Sequence, residues 1–124
     1  MLFRSKIFEV VDPIHKLLPN FVRFVCDELG IAEHPTIDIV DAVPDVPGTT
    51  FGQYKPELKK IYLVSKGRHH RDVFRTLAHE LVHYKQDQEH RVRPDSGETG
   101  SPEENEANAE AGVIMRRYNE ANPL

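Results

Sequence analysis

The chain reads as an α+β domain, a short and mostly antiparallel sheet backed by an N-terminal, a central and a C-terminal helix. Residues 36–40 alternate with period 2 and put Ile37 and Ile39 on one face, as a half-buried strand does. Residues 72–88 contain no Gly or Pro and repeat Val73, Phe74, Leu77, Ala78, Leu81 and Val82 at helical spacing. Ser101-Pro102 with Glu104 is a helix start, and Asn122-Pro123 is a stop. At 124 residues the whole chain, 1–124, is expected to be one domain with a single core.

From the N-terminus, residues 3–11 fit a strand or a short helix equally well. Asp12-Pro13 and Leu18-Pro19 both look like helix starts, so the first helical region bends or restarts at Pro19. Phe21, Val22, Val25 and Leu29 then form an apolar face that ends at Gly30, a C′ residue. After the strand at 36–40 and a turn spanning residues 44–47, residues 49–54 and 61–64 read as two strands joined through Lys55-Pro56-Glu57. The central helix follows, with Asp72 in its first turn, favourable at the positive end of the helix dipole. Residues 90–100 are polar and turn-rich and read as a mobile loop between the last two helices.

The central helix carries His79-Glu80-Leu81-Val82-His83, an H-E-x-x-H pentapeptide. Imidazoles at i and i+4 lie one turn apart on one helix face, so both can ligate one metal ion. Glu80 is rotated about 100° from His79, placed to miss the metal and reach its water. This is the two-histidine zinc site with a glutamate general base. Both histidines border the apolar stripe, where the rim of a half-buried cleft is expected and the local dielectric is low.

A third protein ligand must come from elsewhere. On the last helix Glu103, Glu106 and Glu110 share one side at i, i+3 and i+7. Glu106 is the expected metal ligand, and Glu110 the expected hydrogen-bond partner of a metal-bound histidine. Glu103 and Glu104 read as a solvated acidic face, with Glu104 closing a capping box onto Ser101. His90 is the rival ligand. It lies seven residues after His83, one more than the metzincin spacing, and Gln86 stands where that motif needs Gly. A closed structural zinc site would be rich in Cys. The one cysteine, Cys26, sits in an apolar segment and reads as a small buried hydrophobe.

With these residues in view the chain resembles a gluzincin metallopeptidase. The residues 77–84 and Glu104-Asn105-Glu106-Ala107-Asn108-Ala109 carry the resemblance, which covers roughly residues 36 to 118. The second stretch is similar to that of the small ImmA/IrrE-like domains, and the size to that of the minigluzincins. The resemblance implies a small zincin-like fold, one zinc ion per chain, and a sheet-edge strand that pairs with an extended substrate. In thermolysin-like relatives an aspartate stands four residues after the glutamate ligand, where this chain has the longer Glu110. SprT-like proteases use a third histidine further along, which fits here only through His90.

Composition agrees with a small cytoplasmic enzyme. One cysteine rules out an internal disulfide framework and suits a reducing compartment. No signal-peptide pattern or membrane-spanning apolar run is present. The net charge of −4 gives no general pull toward nucleic acid, although Lys55, Lys59, Lys60, Lys66, Arg68, Arg71 and Arg75 crowd the approach to the central helix. The expected activity is zinc-dependent hydrolysis of peptide bonds in a peptide or protein substrate, with Glu80 as base. Tyr54, Tyr118 and His90 are candidates for oxyanion or substrate contact, whereas Tyr84 points away from the ligands and packs. The other reading is a regulatory or DNA-associated zinc-binding domain of ImmA/IrrE or SprT-like type with restricted proteolysis.

Overall fold

Hydrophobic pattern and capping chemistry set the order of elements in the computed structural model, which describes residues 13–46, 50–91, 93–96 and 98–123. The ambiguous segment at 3–11 lies outside them. Helix α1 (Pro13–Leu29) is followed by strands β1 (Thr36–Val40), β2 (Gly52–Lys55) and β3 (Lys60–Val64), then by helices α2 (His70–Gln88) and α3 (Pro102–Ala121). Among the described residues no helix is long and apolar enough to cross a membrane.

Helix α1 neither breaks nor restarts at Pro19 but runs through it. His15, the residue four before, is exposed, so the carbonyl that loses its partner can turn to water. Gly30 ends the helix at φ +72°, and the Ile31 N–H reaches back to Cys26 O at 2.8 Å. That left-handed closure is where a Cβ would be strained.

The sheet is mixed, with order β1-β3-β2. Strand β3 is central because Ile61 and Leu63 are fully buried on its inner face. It pairs parallel with β1 and antiparallel with β2, so antiparallel pairing covers only one of the two ladders. Among the described residues no strand lies beyond β2, and this edge of the sheet lies over α2. The hairpin from β2 to β3 turns through a short 3-10 segment (Pro56–Leu58) and Lys59 in the left-handed region.

The three helices meet around aromatic side chains. Phe21 of α1 stacks on Phe74 of α2 with centroids 4.1 Å apart, and Tyr118 of α3 meets both rings edge-on. The buried residues of α3 are Glu103, Ala107, Ala111, Ile114, Met115 and Tyr118, a stripe of helical period whose alanines let α3 lie close along α2.

Candidate metal centre

Helix α2 starts one turn before the apolar run: His69 caps it, its Nδ1 accepting from the Arg71 N–H at 3.1 Å. From that start the helix places His79 and His83 one turn apart with ring centroids 4.9 Å apart. Helix α3 brings Glu104 across to them. Its Oε1 lies 3.1 Å from His79 Nε2 and 2.9 Å from His83 Nε2. Two imidazole nitrogens and one carboxylate oxygen thus converge within 4.8 Å of one another. A nitrogen-and-oxygen donor set of three, free of thiolate and open on the cleft side, fits a divalent metal held with a position left for substrate or water.

The third member of the cluster is therefore Glu104 and not Glu106. Residues 104 and 106 differ by about 200° around a helix, so they flank the buried stripe of α3 on opposite sides. The Glu104 flank faces His79 and His83. On the other flank Glu106 Oε1 accepts from Gln86 Nε2 at 2.8 Å and from Arg91 Nη2 at 2.9 Å. Glu104 is free for this role because only half of the expected capping box forms: Ser101 Oγ accepts from the Glu104 N–H at 3.0 Å, while the glutamate side chain turns to the histidines. Glu103 is no solvated acid either. It is 8 % exposed, and its Oε1 accepts from Arg93 Nη2 at 2.7 Å and from Ser96 Oγ at 3.2 Å.

Gln86, fully buried, lies behind His83. Its Oε1 meets His83 Nδ1 at 2.8 Å, and its Nε2 donates to Glu103 O at 3.0 Å and to Glu106. The side chain at His83 Nδ1 is thus Gln86; Glu110, one turn beyond Glu106, instead contributes to the field at Arg117.

Glu80 points from α2 toward the edge strand. It is 8 % exposed and its Oε1 accepts from the Tyr54 N–H at 3.0 Å. Burial holds its pKa above the ordinary carboxylate value, against the opposing pull of His79, His83 and the Tyr54 N–H. The Val64 N–H donates to Phe51 O, which sets the phase of the β2–β3 ladder. By the alternation of antiparallel pairing, Gly52 and Tyr54 then direct their backbone groups away from β3. Strand and helix approach closely because residue 52 is Gly: a Cβ there would lie 2.6 Å from Thr76 Cγ2.

A cleft of about 660 Å³ opens over the cluster, with Thr50, Gly52 and Gln53 on one wall and Arg93, Pro94 and Ser96 on the other. The segment between the helices flanks the site and is tied down: Arg93 N–H donates to Ser96 Oγ at 2.7 Å, and Ser101 Oγ donates to Ser96 O at 2.7 Å.

The ring candidates for substrate contact face elsewhere. The Tyr54 ring packs edge-on against Tyr84 in the core, and its hydroxyl donates to Asp87, which Lys59 also holds. Tyr118 is buried against Phe21, Phe24 and Phe74. His90 sits just past the end of α2 at φ +60° and does not line the cleft. Tyr84 packs as expected, its hydroxyl donating to Glu33 O at 2.8 Å. Several cations of the basic cluster have internal partners: Lys60 pairs with Asp38, Arg71 donates to Asn122 O, and Arg68 holds Val64 O and Thr76 Oγ1.

No family model matches the sequence, and no curated protein matches it either. Among solved structures the fold is similar to the metallopeptidase zymogen of Pyrococcus abyssi abylysin, at 15% sequence identity and a TM-score of 0.53. The match covers 85% of this chain and 94% of that one. At such identity the likeness bears on the fold, and the fold is a small metallopeptidase-like α+β scaffold.

Proposed function

We propose that this chain is a zinc-dependent peptidase whose metal is held by His79, His83 and Glu104. The observation that carries the reading is Glu80, a buried carboxylate adjoining a three-ligand cluster and facing a cleft edged by a strand. The chemistry a zinc ion supplies when bound is Lewis-acid activation of a water and of a scissile carbonyl.

Glu80 supplies the base. Its carboxylate accepts the proton of the attacking water and returns it to the leaving amine. The Tyr54 N–H, by holding Oε1, fixes where the second carboxylate oxygen sits. Among the described residues no strand pairs with the outward backbone groups of Gly52, and an extended peptide along the cleft pairs with them by strand addition to the sheet edge. With the tyrosine rings turned into the core, Arg93 is the cationic side chain on the opposite wall. The similarity to a metallopeptidase zymogen supports a proteolytic use of this scaffold.

The test is incubation of zinc-loaded protein with a diverse peptide mixture, new termini being read by mass spectrometry, beside Glu80→Gln. Termini produced by the wild type alone would support the reading and report the subsite preference. No cleavage by either protein, each with one zinc bound, would overturn it in favour of a zinc-bearing binding domain.

A further inference from the structure

We propose that Gln86 is the positioning residue of the metal centre, orienting two ligands that stand on different helices; this rests on the metal reading above. Gln86 is fully buried and each polar atom of its amide has a partner. Its nitrogen faces a carbonyl oxygen, Glu103 O at 3.0 Å, and a carboxylate oxygen, Glu106 Oε1 at 2.8 Å. Neither can donate, so the NH2 group is there and the amide oxygen is the atom facing His83. An amide oxygen only accepts. His83 must therefore carry its proton on Nδ1, donating across 2.8 Å.

A neutral imidazole protonated at Nδ1 has a bare lone pair at Nε2, the atom that faces Glu104 Oε1 at 2.9 Å. Two acceptors at that distance repel unless a cation lies between them. Gln86 thus keeps His83 in the tautomer that a metal needs. The bond to Glu103 O acts on the peptide unit just before Glu104, so the same side chain also fixes the rotation of α3 that delivers the third ligand. Glu106 completes the arrangement. It holds the Gln86 nitrogen and is itself held by Arg91 Nη2 at 2.9 Å, which also binds Glu89. The acidic residue that looked like a ligand in the sequence is the outer anchor of the residue that aligns two ligands.

The experiment measures zinc affinity by chelator competition for the wild type, Gln86→Met, Gln86→Glu and the double variant Gln86→Glu/Glu106→Gln. Nitrogen-15 spectra of the histidine rings accompany it, with melting curves as the control for folding. Gln86→Met, which has neither acceptor nor donor, should bind zinc about 10–100-fold more weakly. Gln86→Glu keeps the acceptor for Nδ1–H but sets a carboxylate against Glu106 and Glu103 O, and should recover little. The double variant restores a donor facing that carboxylate, though not the bond to Glu103 O, and should recover part of the loss with the His83 proton still on Nδ1, which a merely structural role for residue 86 does not predict. In the wild type, His83 should show Nδ1–H with the metal on Nε2. Zinc affinity in folded Gln86→Met equal to the wild type, or a wild-type His83 with its proton on Nε2, would overturn the inference. Should Gln86→Met fail to fold, the nearly isosteric glutamate variants decide it. A wild type that binds no zinc would bring down the metal reading itself, a result distinct from a wild type that binds well and a variant that binds equally.

Discussion

The Tyr54 backbone N–H donates to Glu80 Oε1 at 3.0 Å, joining strand β2 to the helix that carries His79 and His83. An edge-strand N–H left unpaired is open to any added strand. Here one such group is taken by Glu80, which sets the spacing between its carboxylate and the strand along which a substrate is proposed to lie. Strand β2 must come close for this bond to form.

That closeness depends on Gly52. Gly52→Ala places a methyl 2.6 Å from Thr76 Cγ2. The threonine cannot rotate away cheaply, because its Oγ1 accepts from Arg68 Nη2 at 2.7 Å and donates to Asp72 O at 3.1 Å. The expected destabilisation is about 1–3 kcal/mol, as for overpacking elsewhere. Thr76→Ser removes the clashing methyl and keeps the hydroxyl, so the double variant should recover most of the loss. Denaturant unfolding of the four proteins measures this.

Glu104 and Glu106 are separated by metal affinity. Glu104→Ala removes a donor atom and should weaken zinc binding by more than the roughly 100-fold typical of losing an outer partner. Glu106→Gln keeps an acceptor near Gln86 and should stay within about 10-fold of the wild type. Competition with a fluorescent chelator distinguishes them, and the reverse ranking would restore Glu106 as the ligand.

Glu80→Gln should bind zinc, lose all turnover and melt higher than the wild type when both are metal-free. The amide oxygen can still accept the Tyr54 N–H, while the burial penalty that raises the Glu80 pKa disappears. A gain of about 1 kcal/mol corresponds to roughly 4 °C in a domain of this size. A lower melting temperature would mean that the carboxylate stabilises the fold and is not held at its expense.

Tyr54→Phe tests the tyrosine hydroxyl as a structural group. It deletes a hydrogen bond to the Asp87 carboxylate and should destabilise by about 1.5–3 kcal/mol. The rate of the peptide-cleavage step should be unchanged, because the ring faces the core and only the Tyr54 backbone faces Glu80.

Asp87 makes the same corner sensitive to acid. Burial alone would raise its pKa, but the bonds from Lys59 and Tyr54 outweigh it and hold the carboxyl below the usual value. A depressed carboxylate contributes stability above its unfolded pKa and loses it as pH falls through the folded one. The melting temperature of the wild type should therefore drop toward that of Asp87→Asn on acidification below about pH 4. Parallel pH-dependent melts of both proteins check the convergence.

Much of this arrangement was legible in local signals. Ser101 and Pro102 begin α3 and Asn122 ends it because caps act within one turn of chain. Gly30 closes α1 for the same kind of reason. Gln86 had a signal too. It stands three residues after His83, within reach on the same helix face, although as a sequence feature it only spoils the metzincin pattern. The parallel pairing of β1 with β3 had none, since residues 36–40 and 60–64 alternate alike whichever direction their partner runs.

By itself the sequence determined that His79 and His83 share a face with Glu80 a third of a turn away, because helix geometry is fixed over five residues. It also determined that an acidic helix follows. Which acid of that helix reaches the histidines was decided only by how α3 rolls against α2. That roll comes from burying Ala107, Ala111, Ile114 and Met115, and it turns Glu104 to one flank and Glu106 to the other. Packing also set β2 beside β3 over α2 and turned the Tyr54 ring inward. Contacts between residues far apart in the chain carry those choices, and no short stretch of sequence contains them.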